Sequence, residues 1–150
     1  NNAGRDGLGY HAVAIGRYAA SDGTNQYAVA IGDQAGQGGM GYGAVAMGYE
    51  AGYGAANYSV ALGYGAGWGD GPSLGAYQLA LGSYAAAGGG YDNSIVLNAS
   101  GDYFGADASG FFVKPVRYTA TQDATYDGLM FYNANNGEVR YSYTLDGGSF

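Results

Sequence analysis

One frame of about sixteen residues recurs along most of this chain, and it constrains the fold more than any other feature. HAVAIGRYA begins at His11, YAVAIGDQA at Tyr27, GAVAMGYEA at Gly43, YSVALGYGA at Tyr58 and YQLALGSYA at Tyr77, with a degenerate sixth copy, NSIVLNAS, at Asn93. A glycine closes each copy at Gly16, Gly32, Gly48, Gly63 and Gly82, and Asn98 takes the sixth place, so the steps are 16, 16, 15, 19 and 16 residues. Ala19, Ala35, Ala51, Ala66 and Ala85 follow the glycines by three. A unit this short cannot bury its own apolar face, so a regular period of this kind predicts coils stacked into a solenoid.

Within a copy, Val13 and Ile15 fall on one side of a short strand and Ala12 and Ala14 on the other; a bend that glycine permits and a segment of small residues follow. This is the pattern of one coil whose strand pairs in parallel with its equivalents about 4.8 Å away, and six such coils make a rod roughly 30 Å long. The bulky set, from Val13 and Ile15 to Ile95 and Leu97, is expected to fill the interior. Ala14, Ala30, Ala46, Ala61 and Ala80 are then the outer face, where polar residues would be usual. Small side chains there predict close packing against other copies of the rod, the alternative being a cramped second layer inside the same coil.

Composition narrows the function. The 150 residues include 31 glycines and 17 tyrosines but only 11% charged residues, far from average globular usage. The glycines have no every-third-residue period, which excludes a collagen helix, and no apolar run approaches the roughly 20 residues of a membrane span. Without cysteine there are no disulfides or thiolate metal sites. A net charge of −7 repels phosphate backbones and anionic lipid, so neither nucleic-acid binding nor membrane insertion of this segment is expected. The opening NNAG, with neither initiator Met nor signal sequence, suggests a piece of a longer chain.

The repeated VAIG with alanine three places on resembles the head repeats of the trimeric autotransporter adhesins, the YadA-like heads, over residues 11 to 100. The resemblance implies an all-β fold: a left-handed parallel β-roll of about six coils, assembled as a homotrimer and followed by a small intertwined β-module. NSIVLNAS, GFFVKPVR (110 to 117) and LMFYNANNGEVRYS (129 to 142) together resemble the junction after such rolls in tail and virion fibres of phages and large viruses, although Lys114 stands where relatives often have Asn. The expected organisation is a roll over 1–100 and a β-module over 101–150. In the second part Pro115 restricts FFVKPVRYT to an edge or bulge, and Asn136-Gly137 between LMFYN and EVRYSY predicts a hairpin. The implied work is structural and adhesive, host-surface attachment by a virion fibre. The other readings are a bacterial surface adhesin head and a purely structural extracellular filament without a ligand.

No catalytic constellation is legible, so no enzyme activity and no cofactor are expected. His11, the only histidine, occupies the place of Tyr27, Tyr58 and Tyr77. GYGAGWG lacks the Lys-Ser and helix start of a phosphate loop. GGGYDNSIV echoes a calcium-binding nonapeptide only once, which leaves no expected metal site. The sequons at Asn57 and Asn98 read as turn asparagines.

Aromatic residues are the remaining candidates. His11, Tyr27, Tyr58 and Tyr77 start successive strands and would align in a column interrupted at Gly43, while Tyr18, Tyr49, Tyr64 and Tyr84 follow the bends. Such rings either cover coil edges or form a binding surface for a host glycan or protein receptor. The long fourth-to-fifth interval holds the only tryptophan, and insertions in solenoids map to loops. Trp68, Asp70, Tyr64 and Tyr77 are therefore the candidate ligand-binding residues.

Overall fold

The computed structural model describes residues 2–69 and 74–116, with the backbones of 129–133 and 138–142. Among these described residues nine strands follow in order: β1 (Val13–Ile15), β2 (Val29–Ile31), β3 (Val45–Met47), β4 (Val60–Leu62), β5 (Leu79–Leu81), β6 (Ser94–Asn98), β7 (Gly110–Lys114), β8 (Leu129–Asn133) and β9 (Glu138–Ser142). The first seven form one parallel sheet in sequence order, and no helix occurs among the described residues. Each strand pairs with its repeat equivalent without slippage: Val13 with Val29, Val29 with Val45, Val45 with Val60, Val60 with Leu79. This is the expected solenoid of about six turns.

The expectation about which face is buried is reversed. Ala30, Ala46, Ala61, Ala80 and Val96 are completely buried, as are Ala19, Ala35, Ala51, Ala66 and Ala85 beyond the bends. Val13, Ile15, Met47 and Ile95 face outward, Ile15 at 58% exposure. Alanine packs within its own coil, as the alternative reading had it, but it fills the bore itself, and the bulky residues form the outer wall. The cause is the narrowness of the coil. A Cβ added at Gly52 would lie 2.7 Å from the Cβ of Ala46, so at this level the bore holds one methyl group and has no space for a second. Met40 and Leu74 enter where a glycine faces them: a Cβ at Gly36 would collide with Met40, and one at Gly67 would fall 2.5 Å from Leu74. Met40 and Leu74 are accordingly buried. Fully buried Ser59, Gln78 and Ser94 add a short polar seam, Gln78 Nε2 donating to Ser94 Oγ at 2.8 Å and Gly75 N–H donating to Gln78 Oε1 at 2.9 Å.

The bends stack as tightly as the bore. Gly32 N–H donates to the Ile15 carbonyl, Gly48 N–H to that of Ile31 and Gly63 N–H to that of Met47, at 2.8 to 2.9 Å. At φ +132°, Gly48 is in a region that side-chain-bearing residues rarely adopt, and a Cβ there would lie 2.5 Å from the Gly63 carbonyl oxygen. The column ends at Asn98, whose side chain donates to the carbonyls of Ser83 and Asp102 and accepts from Ser100.

The parallel ladder continues one strand past the last recognisable copy. β7 pairs with β6 through Ile95 with Phe111 and Leu97 with Val113, and it is the edge strand, ending just before Pro115. The FFVK segment thus joins the roll instead of the hairpin, and the compact unit containing the roll extends to Val116. The second unit, from Arg117, contains the antiparallel pair β8 and β9, with Leu129 opposite Ser142 and Asn133 opposite Glu138. Its expected turn at Asn136-Gly137 lies outside the described residues.

Two substitutions probe the bore and the bend by chemical denaturation. Gly48→Ala should destabilise the roll by about 3 kcal/mol through combined overpacking and backbone strain. Ala46→Val should cost about 1–3 kcal/mol, because the added methyls have no free volume to enter.

Candidate functional site

Parallel pairing in register makes each outward residue a rung of a ladder, so the outer surface is organised in columns. The strands contribute the first surface. Val13 and Ile15, Val29 and Ile31, Val45 and Met47, Val60 and Leu62, Leu79 and Leu81, Ile95 and Leu97, Phe111 and Val113 stand in seven paired rows. All fourteen are exposed or half-buried, and Phe111 is 56% exposed. At about 4.8 Å per rung the stripe runs nearly 30 Å. It contains no polar side chain, which is unusual for the water-facing side of a sheet.

The second surface is a pair of aromatic columns. In the first, His11 and Tyr27 stack with centroids 5.4 Å apart and planes inclined by 12°, and Tyr58 and Tyr77 stack at 5.2 Å and 17°. The column is not interrupted at Gly43. Tyr42 reaches in from the neighbouring position and stands 5.4 Å from both Tyr27 and Tyr58, edge-on at 67° and 64°. His11, Tyr27, Gly43, Tyr58 and Tyr77 all have φ between +57° and +62°. Left-handed backbone is uncommon for tyrosine and is sustained where the surroundings over-determine it. Here the backbone ladder does so, with Tyr27 N–H donating to the Tyr10 carbonyl and Tyr58 N–H to that of Tyr42.

The second column begins with Tyr49 and Tyr64, stacked at 5.1 Å and 14°. Both follow their glycine by one residue, whereas Tyr84 follows Gly82 by two, so its ring arrives from a different direction and meets Tyr64 at 79°. Gly65 makes this possible, since a Cβ there would lie 2.8 Å from the Tyr84 ring. Tyr103, from the loop after β6, stacks on Tyr84 at 4.5 Å and 18°, and Trp68 stands 6.2 Å from Tyr103 at 61°. Tyr18 is in neither column and lies under the Arg17 guanidinium at 5.5 Å.

Of the residues singled out by sequence, Trp68 and Tyr64 therefore belong to one aromatic column and Tyr77 to the other, while Asp70 lies outside the described residues. Leu74, in the same long interval, is the side chain that fills the bore; Trp68 is only half-buried. Sequence reasoning missed Tyr42 and Tyr103. Tyr42 carries a usable signal, 15 residues after Tyr27 and 16 before Tyr58.

Ring orientation decides what these columns can bind. A stacked ring has a face against its neighbour and turns mainly its edge and hydroxyl to solvent, whereas stacking on a sugar needs a free face. Planes turn only at Tyr42 and in the group Tyr64, Tyr84, Tyr103 and Trp68. A hydrogen bond with Tyr64, aided by partial burial and by neighbouring phenols, pushes the Tyr84 hydroxyl up to about 12. Among the described residues no three His, Cys, Asp or Glu side chains gather as metal ligands.

No family model, curated protein or solved structure matches the chain.

The raised Tyr84 pKa gives a signed pH dependence. The folded state keeps this proton between about pH 10, where an unfolded phenol loses it, and about 12, so the associated stabilisation is complete below 10 and lost as pH rises through 12. Melting of the wild type should fall more steeply across that window than melting of Tyr84→Phe, and ultraviolet titration of the variant should lack one phenol that ionises at about 12.

Proposed function

We propose that this chain is a segment of a homotrimeric virion fibre that presents an aromatic patch to a host surface. The observation that carries the reading is the apolar stripe from Val13 to Val113. Fourteen bulky side chains in rigid, evenly spaced rows suit an identical rod lying alongside, and burial of each contributes on the order of 1.5–3 kcal/mol. The oligomer interface expected on the alanine side is thereby moved to the opposite face of the strands. A left-handed roll and a threefold arrangement are what the resemblance to the YadA-like heads adds. GFFVKPVR, similar to the segment after such rolls in virion fibres, favours a virion over a bacterial adhesin head.

Within that assembly the receptor-facing candidate is the group Tyr64, Tyr84, Tyr103 and Trp68, where ring planes turn and an indole is half-exposed. Three chains would offer three patches, and multivalent binding raises avidity without new contacts. The stacked stretches, with covered faces, favour a second reading in which the rod is purely structural.

Light scattering should give three chains per particle, and Ile31→Glu, which places a carboxylate within the stripe and leaves the bore untouched, should lower the mass to a single chain with retained β-structure. A monomeric wild type defeats the trimer. On a glycan array the wild type should bind a defined set of sugars and Trp68→Ala should lose at least tenfold in apparent affinity, in keeping with the loss of about 1.5 kcal/mol of aromatic contact. Absence of binding favours the purely structural rod, and binding that survives the change removes the Trp68 group as the receptor site.

A further inference from the structure

The tyrosine columns have a chemical consequence independent of any receptor. We propose that they are sites of oxidative cross-linking, at which phenols on successive coils couple into dityrosine and staple the rod along its axis. The chain has no cysteine, so no disulfide can join one coil to the next. It does hold phenols at contact distance. Tyr58 and Tyr77 are nearly parallel at 5.2 Å and exposed by 47% and 61%, and Tyr49 and Tyr64 are nearly parallel at 5.1 Å and also exposed. Each pair is anchored by adjacent coils through backbone hydrogen bonds, Tyr77 N–H donating to the Asn57 carbonyl and Gly65 N–H to that of Tyr49.

The co-reactant is a one-electron oxidant of the haem peroxidase class supplied with hydrogen peroxide. Each phenol gives up one electron and one proton to become a phenoxyl radical. Two radicals combine through a new bond between ring carbons ortho to oxygen, and each of those carbons then releases its hydrogen to restore the phenol. Two phenols and one peroxide yield one linked bisphenol and two waters, so the protein loses two hydrogen atoms per link. Isolated phenoxyl radicals must find a partner by diffusion, whereas a column supplies one at van der Waals range. Holding reactants together in this way raises their effective concentration by orders of magnitude. Tyr10, Tyr53 and Tyr91 are similarly exposed but stand outside both columns, and they are internal controls.

The test treats the folded protein with horseradish peroxidase and hydrogen peroxide, then measures dityrosine emission and maps linked peptides by mass spectrometry. Links of Tyr58 to Tyr77 and of Tyr49 to Tyr64 within one chain should exceed those from Tyr10, Tyr53 or Tyr91 at least tenfold, and the preference should vanish in denaturant. Tyr77→Phe keeps the ring and the column but removes the reactive oxygen; it should delete the first link and leave the second. Absence of dityrosine, links spread over the control tyrosines, links mainly between chains, or the same pattern in denaturant would each overturn the proposal.

Discussion

The register of the parallel ladder is the constraint on which the rest depends. Once Val29 N–H donates to the Ala44 carbonyl and Val45 N–H to that of Ser59, each residue is held one rung from its own counterpart. Whatever a position carries is then repeated along the rod. A methyl becomes a packed column, an absent Cβ a line of close backbone contacts, and a phenol a stack. A slip of one residue would put Ile31 where Ala30 must be and close the bore.

Two surfaces of opposite character follow. The bore is so narrow that volume is conserved locally, with Met40 entering beside Gly36 and Leu74 beside Gly67. This interior is poor in apolar area because alanine contributes little of it. The apolar mass stands outside, on the strand face that points away from the bore. A roll of this kind holds its shape through backbone hydrogen bonds and methyl packing, and leaves its largest hydrophobic resource unspent on its own surface. The aromatic columns lie at the coil corners, where left-handed residues turn the chain, and their stacking follows from the ladder as directly as the alanine columns do.

Irregularities of the repeat mark where the surface departs from a uniform rod. Gly43 removes a ring and Tyr42 supplies one at a new angle. The shift of the phenol from one to two residues past the glycine, between Tyr64 and Tyr84, rotates the second column and brings it to Tyr103 and Trp68. Each is a one-position change whose effect is a turned ring plane, and ring plane is the property that separates a self-satisfied stack from an exposed platform.

Much of this was legible in the sequence. The period, the glycine at each bend, the parallel solenoid and the alignment of Tyr58 with Tyr77 follow from residue identity and spacing, because in-register stacking turns sequence periodicity directly into spatial columns. The seventh strand was legible too, since Phe111 follows Ile95 by the same 16 residues, but its aromatic residues disguised the frame. Alternation alone could not decide which face is inside. It establishes that Val29 and Ile31 share one side and Ala28 and Ala30 the other, and the usual preference for burying larger apolar side chains then points the wrong way. Only the three-dimensional coil decides, because alanine lines most of a narrow bore, and a larger side chain such as Leu74 enters where a glycine, here Gly67, leaves it room. The same holds for the aromatic group: Trp68 and Tyr103 are 35 residues apart, and nothing in their spacing anticipates that the loop after β6 brings them together.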